Sequence, residues 1–295
     1  MEFVRQTKCS LCGTTDFILL AKVKEYEYTQ CKKCGLAFAN PMPFMTLEEL
    51  DILNESAWYS GCKSIKKFSW DDFNRYRNYG RQLNAFQKYK SSGKILDIGC
   101  GTGYYLLSAK RAGFEPYGIE VSKAANKYVK ECLHIPVFNG RLEDTKLPSE
   151  YFDGVRIASV LEHLPAPVET LTEVNRIMKN GGILELGIPN PESFLNFLRN
   201  AYHRISLRYR KDKYSFELAP PGYLYSFPKK TTLLLLEKAG FKPIKIIVTG
   251  SGNKIYKPFV FQRNTKVVIE NIIDIIGKAL GKGSVLYLYA RKAKS

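Results

Sequence analysis

Asp97-Ile98-Gly99-Cys100-Gly101-Thr102-Gly103 follows the apolar pair Ile95-Leu96 and precedes a helix-like stretch, Tyr104 to Ala112. A strand, a glycine turn and a helix in that order point to a nucleotide-type ligand. Glycine has no Cβ, so the backbone turns tightly and its amides approach a ligand closely. The helix that follows offers unpaired N–H groups. Spacing and charge narrow the ligand. A dinucleotide fingerprint reads G-x-G-x-x-G, and its last glycine would fall at Tyr104. Asp97 puts a carboxylate where a pyrophosphate would be repelled and a cation accepted, directly or through water. The competing reading is a bare structural turn.

The following residues extend the pattern. Glu115 to Ile119 reads as a second strand ending in Glu120, the position where a doubly wound sheet holds ribose hydroxyls. An ordinary solvated carboxylate is the alternative. Gly140-Arg141-Leu142-Glu143-Asp144 precedes Leu147-Pro148, and Tyr151 to Ser159 reads as a fourth strand leading into Val160-Leu161-Glu162-His163-Leu164-Pro165. A helix from about Pro167 to Met178 carries Val168, Leu171, Val174 and Met178 at helical spacing and stops at Gly181-Gly182. A fifth strand, Ile183 to Ile188, ends in Pro189-Asn190. A helix over Pro228 to Ala239 and strands near Lys242 to Val248 and Ser284 to Arg291 complete the set. Such alternation predicts a parallel sheet with helices on both faces. Ligands bind such sheets beyond the carboxyl ends of the strands, where Asp97, Glu120, Ser159 and His163 would all emerge.

Ile95 to Gly103, "LEHLP", "NRIMKNGG" and "IPNP" resemble, in the same order, the motifs of class I S-adenosylmethionine-dependent methyltransferases. The resemblance implies an α/β fold: a seven-stranded doubly wound, Rossmann-like methyltransferase sheet whose last strand is reversed. It implies a cofactor site at Asp97, Gly99, Gly101, Gly103, Glu120 and Ser159, with Glu120 on both ribose oxygens. Glu143 and Asp144 would lie beside the adenine. Methyl transfer requires an acceptor held in line with the methyl and relieved of a proton, and histidine is suited to that at neutral pH. His163 matches the His of the family's Glu-His pair and is the candidate base or substrate anchor, beside Glu162. A His that hydrogen-bonds within its own loop is the competing reading. Ubiquinone-type O-methyltransferases are similar across "LEHLP", but they place a metal-binding acid where this chain has Ser159, which weakens any expectation of magnesium-assisted catechol methylation. The family segment resembling Pro220 to Phe227 often holds His-Leu where this chain has Tyr223-Leu224.

Cys9-x-x-Cys12 and Cys31-x-x-Cys34 are separated by 18 residues, a spacing typical of a four-cysteine zinc site. Each pair is followed by glycine, Gly13 or Gly35, which permits the knuckle that turns two thiolates toward one ion. Four thiolates close the coordination sphere, so the Zn2+ would be structural. Disulfides or a redox dithiol are the alternatives, and the lack of a signal peptide argues for a reducing, cytoplasmic setting against them. Cys62, Cys100 and Cys132 have no partner spacing. The segment resembles the zinc ribbon attached to many bacterial and archaeal methyltransferases, including those of sugar and polysaccharide biosynthesis. The expected organisation is a ribbon over 1–40, a helical cap or linker over 41–92 and a methyltransferase domain over 93–295. The cap is rich in aromatics, and Tyr59 and Tyr79 are acceptor-site candidates.

Charge is unevenly spread. Of the chain's 45 basic and 28 acidic side chains, residues 191 to 295 hold 20 and 6. Arg199, Arg204, Arg208, Arg210, Lys211 and Lys213 fall in an insert over 191–227, and a cationic insert near the site suggests an anionic acceptor or surface. A solvated charge run is the common alternative. Thr265 to Leu280 repeats Lys266, Glu270, Asp274 and Lys278 every fourth residue among Val, Ile and Leu, as in a helix packed on the core or in a homodimer. The function expected is methyl transfer to a small anionic acceptor, a sugar or sugar conjugate, free or lipid-linked at a membrane surface. An RNA methyltransferase and a non-catalytic cofactor-binding module are the alternatives.

Overall fold

The computed structural model describes residues 2–23, 26–54, 70–205, 223–250 and 265–293. Tyr59, Cys62, Arg208, Arg210, Lys211, Lys213 and the Pro220-Pro221-Gly222 segment lie outside them, and the side chains of Tyr76 and Arg204 are likewise not described. The N-terminal strands are β1 (Glu2–Val4), β2 (Phe17–Val23), β3 (Tyr26–Cys31), β4 (Ala37–Asn40) and β5 (Met42–Phe44), followed by helices α1 (Leu47–Asn54) and α2 (Trp70–Gln87). Then come β6 (Gly93–Ile98), α3 (Tyr104–Arg111), β7 (Phe114–Glu120), α4 (Lys123–Leu133), β8 (Val137–Asn139), β9 (Phe152–Ala158), α5 (Pro167–Ile177) and β10 (Met178–Pro189). The chain closes with α6 (Phe194–Ile205), β11 (Tyr225–Ser226), α7 (Lys229–Lys238), β12 (Phe241–Thr249), α8 (Thr265–Ala279) and β13 (Val285–Lys292).

The main sheet has seven strands in the order β12-β13-β10-β9-β6-β7-β8. Only β13 runs against its neighbours, pairing antiparallel with both β10 and β12, so the expected sheet with a reversed last strand is the one found. Its central strands are buried on both faces. One face packs Phe86 of α2 and Tyr105 of α3 against Ile95 and Ile183. The other packs Leu171 and Val174 of α5 with Leu235 and Leu236 of α7 against Val155, Ile157 and Leu186. Phe86 sits so close to β9 that a Cβ at Gly154 would lie 2.4 Å from its ring.

Two local readings are corrected. Helix α5 ends at Ile177, before the glycine pair, because Met178 already pairs with Phe152. Gly181 and Gly182 instead absorb a register shift within β10. On α8 the two acidic residues of the polar stripe face inward, while Lys278 is exposed and the Lys266 side chain is not described. Glu270 pairs with Arg199 at 2.8 Å, and Asp274 is 6% exposed with Oδ1 accepting from the Ser284 N–H. Ile269, Ile272, Ile275, Ile276 and Leu280 are exposed, so of the two expected roles, core packing or a homodimer contact, the apolar face of α8 does not take the first.

The ribbon is joined to the sheet domain. Its sheet has four strands, β11-β4-β3-β2, and the edge strand β11 comes from residues 225–226. The Ala39 N–H donates to the Leu224 carbonyl, Thr231 Oγ1 to the Cys34 carbonyl and Lys238 Nζ to the Leu11 carbonyl. Cys9, Leu11, Leu36, Phe38 and Met42 belong to the same buried cluster as Leu96, Ile157 and Leu235. No helix of the described residues is long and apolar enough to cross a membrane.

Phe86→Ala should destabilise the protein by about 3–5 kcal/mol in denaturant titration, since the void it leaves between α2 and Gly154 cannot close without moving a central strand.

Candidate active site

The glycine turn leaves β6 at its carboxyl end and enters α3. Gly99 and Gly103 have φ of 72° and 74°, in the left-handed region. A Cβ at Gly99 would lie 2.3 Å from Val160 Cγ2, and one at Gly103 2.8 Å from Val129 Cγ2. Glycine is therefore required by both backbone and packing. Glu120, at the end of β7, ties this turn down: Oε2 accepts from the Gly101 N–H at 2.8 Å and Oε1 from the Ser122 N–H at 2.9 Å. Burial pushes the Glu120 carboxyl up in pKa, against the pull of these amides. Each oxygen keeps a lone pair for a further donor.

Asp97 is 1% exposed. Its Oδ1 accepts from Arg156 Nη1 at 2.9 Å, while Oδ2 is buried without a hydrogen-bond partner. Arg156 lies on β9, and its Nε reaches Glu185 Oε1 of β10 at 3.4 Å while Nη2 donates to Gln82 of α2 at 2.9 Å. The guanidinium lies 4.3 Å from the Tyr105 ring centroid. Burial works against the Arg156 charge, but Asp97 and Glu185 outweigh it and hold the group protonated. Burial pushes Glu185 up to about 7, with Arg156 pulling the other way. Arg156, Glu185 and Gln82 were not among the candidates from sequence. The available signal was a charge of opposite sign within the apolar stretch of each of two adjacent strands, Arg156 among residues 154–158 and Glu185 among 183–188.

Residues 140–144 approach the same edge, where the Gly140 N–H donates to the Glu120 carbonyl at 3.2 Å. Glu143 and Asp144 are exposed. Asp144 accepts from the Arg141 N–H at 3.2 Å, closing its own turn. Ser159, just past β9, is exposed at φ 56°. The strand ends thus bring Asp97, Glu120 and Ser159 to one edge of the sheet, with the turn carrying Glu162 and His163 following Ser159.

In that turn the His163 N–H donates to the Val160 carbonyl at 2.9 Å, and its ring lies 5.0 Å from that of Tyr223. His163 is 35% exposed, with Nε2 4.0 Å from Glu162 Oε1, too far for a hydrogen bond. Glu162 is 1% exposed and neither carboxyl oxygen has a hydrogen-bond partner. Burial pushes its pKa up to about 8.

The four N-terminal sulfurs lie within 4.8 Å of one another. Cys9 Sγ is 3.5 Å from Cys34 Sγ, and Cys12 Sγ is 3.4 Å from Cys31 Sγ. Zinc–sulfur bonds of 2.3 Å in a tetrahedron set sulfurs roughly 3.8 Å apart, so the cluster fits one ion. Gly13 and Gly35, at φ 74° and 79°, donate to the Cys9 and Cys31 carbonyls and form the two knuckles. All four cysteines are free thiols, not disulfides.

Residues 96–186 match the family model described as a methyltransferase domain. The mitochondrial ubiquinone biosynthesis O-methyltransferase of Schizosaccharomyces pombe is 30% identical over 182 residues, covering 57% of this chain and 65% of that protein. The demethylmenaquinone methyltransferase of Staphylococcus saprophyticus is 26% identical over 192 residues, covering 59% and 81%. A solved SAM-dependent methyltransferase from Archaeoglobus fulgidus shares the fold with a TM-score of 0.51 at 22% identity, over 76% of this chain and 98% of that one. Two of these relatives are named for quinone methylation, and the expectation of a sugar or polysaccharide acceptor draws no support from them.

Glu162 sets a pH dependence whose sign is fixed. Its carboxyl loses its proton near 4.5 when unfolded and near about 8 when folded, so between those values only the folded state holds the proton. Stability should then fall as pH rises through that window. Glu162→Gln should remove this decline in thermal melts recorded across pH 5 to about 8.

Proposed function

We propose that this chain, an S-adenosylmethionine-dependent methyltransferase by its matched domain, its fold and its relatives, methylates a small neutral acceptor of the phenol or quinol type. The observation that carries the reading is the charge of the strand edge: Asp97, Glu120 and Glu185 are all buried at or beside it, and Arg156, the one buried cation beside them among the described residues, is committed to Asp97 and Glu185. A buried edge with an acidic excess suits a cationic methyl donor and gives an anionic acceptor no counter-charge among the described residues. The quinone-related names of the relatives favour the same class. The cationic insert that suggested an anionic sugar is only partly described, and Arg199, its described member, is paired with Glu270.

The residues present fit the cofactor. The unpartnered Asp97 Oδ2 and the Gly99–Gly103 turn, which a Cβ would obstruct, make a cradle for its methionine and ribose portions. Glu120 has acceptor capacity for ribose hydroxyls, and the exposure of Glu143 beside that edge supports a role for it toward the adenine. S-adenosylmethionine supplies an electrophilic methyl group on a sulfonium. His163 takes the proton from the acceptor hydroxyl as the oxygen attacks, with the Tyr223 ring lying beside the imidazole at an interplanar angle of 30°. Cys9, Cys12, Cys31 and Cys34 hold a structural Zn2+ that fixes the ribbon against α7 and takes no part in the chemistry.

Three measurements test this. Asp97→Asn should weaken S-adenosylmethionine binding at least about tenfold by calorimetry, and unchanged affinity would sink the cofactor assignment. His163→Ala should lower kcat on a phenolic acceptor by about 10²–10⁴ while leaving cofactor affinity in place. Metal analysis should find about one zinc per chain, with chelation lowering the melting temperature.

A further inference from the structure

The ribbon does more than bind metal. Between it and the sheet domain lies a cavity of about 100 Å³. Its ribbon wall is Leu20 of β2, Gln30 of β3 and Ala37 of β4, and its opposite wall includes Glu162, Asn200 of α6 and Tyr223. Among the described lining residues there is no lysine, arginine or histidine. The surface is mostly aromatic, proline and aliphatic, with a few polar atoms.

Three of those polar atoms, on two residues, are unexplained by the fold. Both oxygens of Glu162 are buried with no hydrogen-bond partner, and so is Oδ1 of Asn200. Leaving such groups unsatisfied costs about 1–3 kcal/mol each, and a chain gains nothing from placing two around one cavity unless something else completes them. Glu162 is 1% exposed and is one of the residues lining this cavity, so its buried carboxyl lies in the cavity wall. The location also matters. Val160 packs directly on Gly99 of the cofactor turn, and Glu162 is two residues further along the same turn. A molecule in the cavity therefore sits beside the residues that handle the methyl donor.

We propose that this ribbon-walled cavity is the acceptor subsite, with Glu162 and Asn200 hydrogen-bonding the hydroxyl or carbonyl groups of a neutral ring and Leu20 and Ala37 of the ribbon packing on its apolar part. The inference rests on the methyltransferase reading above and adds to it the place of the acceptor and a role for the ribbon in choosing it. At about 100 Å³ the cavity is smaller than the roughly 150 Å³ of apolar space that holds benzene, so a substituted ring would lie partly within it. It selects against anions because an ionised ligand would meet buried carboxyl and aromatic groups with no cation among the described walls. Glu162, kept uncharged by burial, both donates and accepts, which matches a ring bearing hydroxyl and carbonyl oxygens.

The test uses the full zinc-loaded chain with S-adenosylhomocysteine bound, and catechol, methylhydroquinone and benzoate as probes, followed by saturation-transfer NMR and calorimetry. Catechol or methylhydroquinone should bind the unaltered protein and benzoate should not. Glu162→Leu should weaken the neutral probe at least about tenfold, and Leu20→Phe, which narrows the cavity from the ribbon side, should do the same. S-adenosylhomocysteine affinity and zinc content serve as the check that each variant is folded. Tyr223→Leu provides a third wall substitution should either variant fail that check, and it too should weaken the neutral probe. Neutral-probe affinity unchanged in folded wall variants would overturn the subsite. So would benzoate binding as tightly as catechol, or no binding of either neutral probe at millimolar concentration. Failure of the unaltered protein to bind S-adenosylhomocysteine would instead overturn the methyltransferase reading itself, so the two failures are told apart.

Discussion

One guanidinium in the middle of the sheet constrains everything around it. Arg156 is 5% exposed and bridges a carboxylate on β6 to one on β10, with Gln82 of α2 closing a third side. Taking such ions out of water costs several kcal/mol each, recovered only when partners and hydrogen bonds are well placed. The register of three adjacent strands and the position of α2 must therefore agree before the charge is tolerated. That agreement holds Asp97 still at the mouth of the glycine turn with one oxygen left over. Asp97, Glu185 and Glu120 also outnumber the single cation near them, which leaves the edge with an acidic bias that a positively charged ligand relieves.

The glycine turn, the alternation of strands and helices and the cysteine cluster were legible because each is carried by spacing along the chain, whereas the reversed last strand was implied by the family resemblance. Gly99 and Gly103 announce positive φ, and Cys-x-x-Cys-Gly announces a knuckle. Arg156 was not legible, because what makes it tolerable is supplied by residues far away in sequence and meets it only through strand register. The facing of α8 was misjudged for a related reason. A charge every fourth residue ordinarily marks the solvent side, but here Arg199 and the Ser284 amide supply partners that draw Glu270 and Asp274 inward. The end of α5 was placed at its glycines, whereas pairing of Met178 with Phe152 had already begun a strand.

Glu120 and Glu162 show how one residue type serves two purposes on the same edge. Glu120 meets two backbone amides and acts as a brace for the turn. Glu162 meets none, and burial leaves it a neutral acid. Their sequences give little hint of this division, since both are single glutamates just beyond strand ends. The difference comes from the chain around them, which offers amides to one and an apolar, ribbon-closed space to the other.

Strand β11 ties the two ends of the polypeptide together in time as well as in space. The ribbon strands β2, β3 and β4 are made before the central strands, yet their edge partner at Tyr225–Ser226 and the Thr231 hydroxyl that donates to the Cys34 carbonyl emerge only after β6, β9 and β10 have been made. The ribbon's cysteines can gather early, because they are local, but its sheet stays one strand short until late in synthesis. An exposed β4 edge during that interval is a ready template for another chain. A nascent chain halted before residue 225 would carry that open edge, and one halted before residue 285 would still carry an open β10 edge in the main sheet.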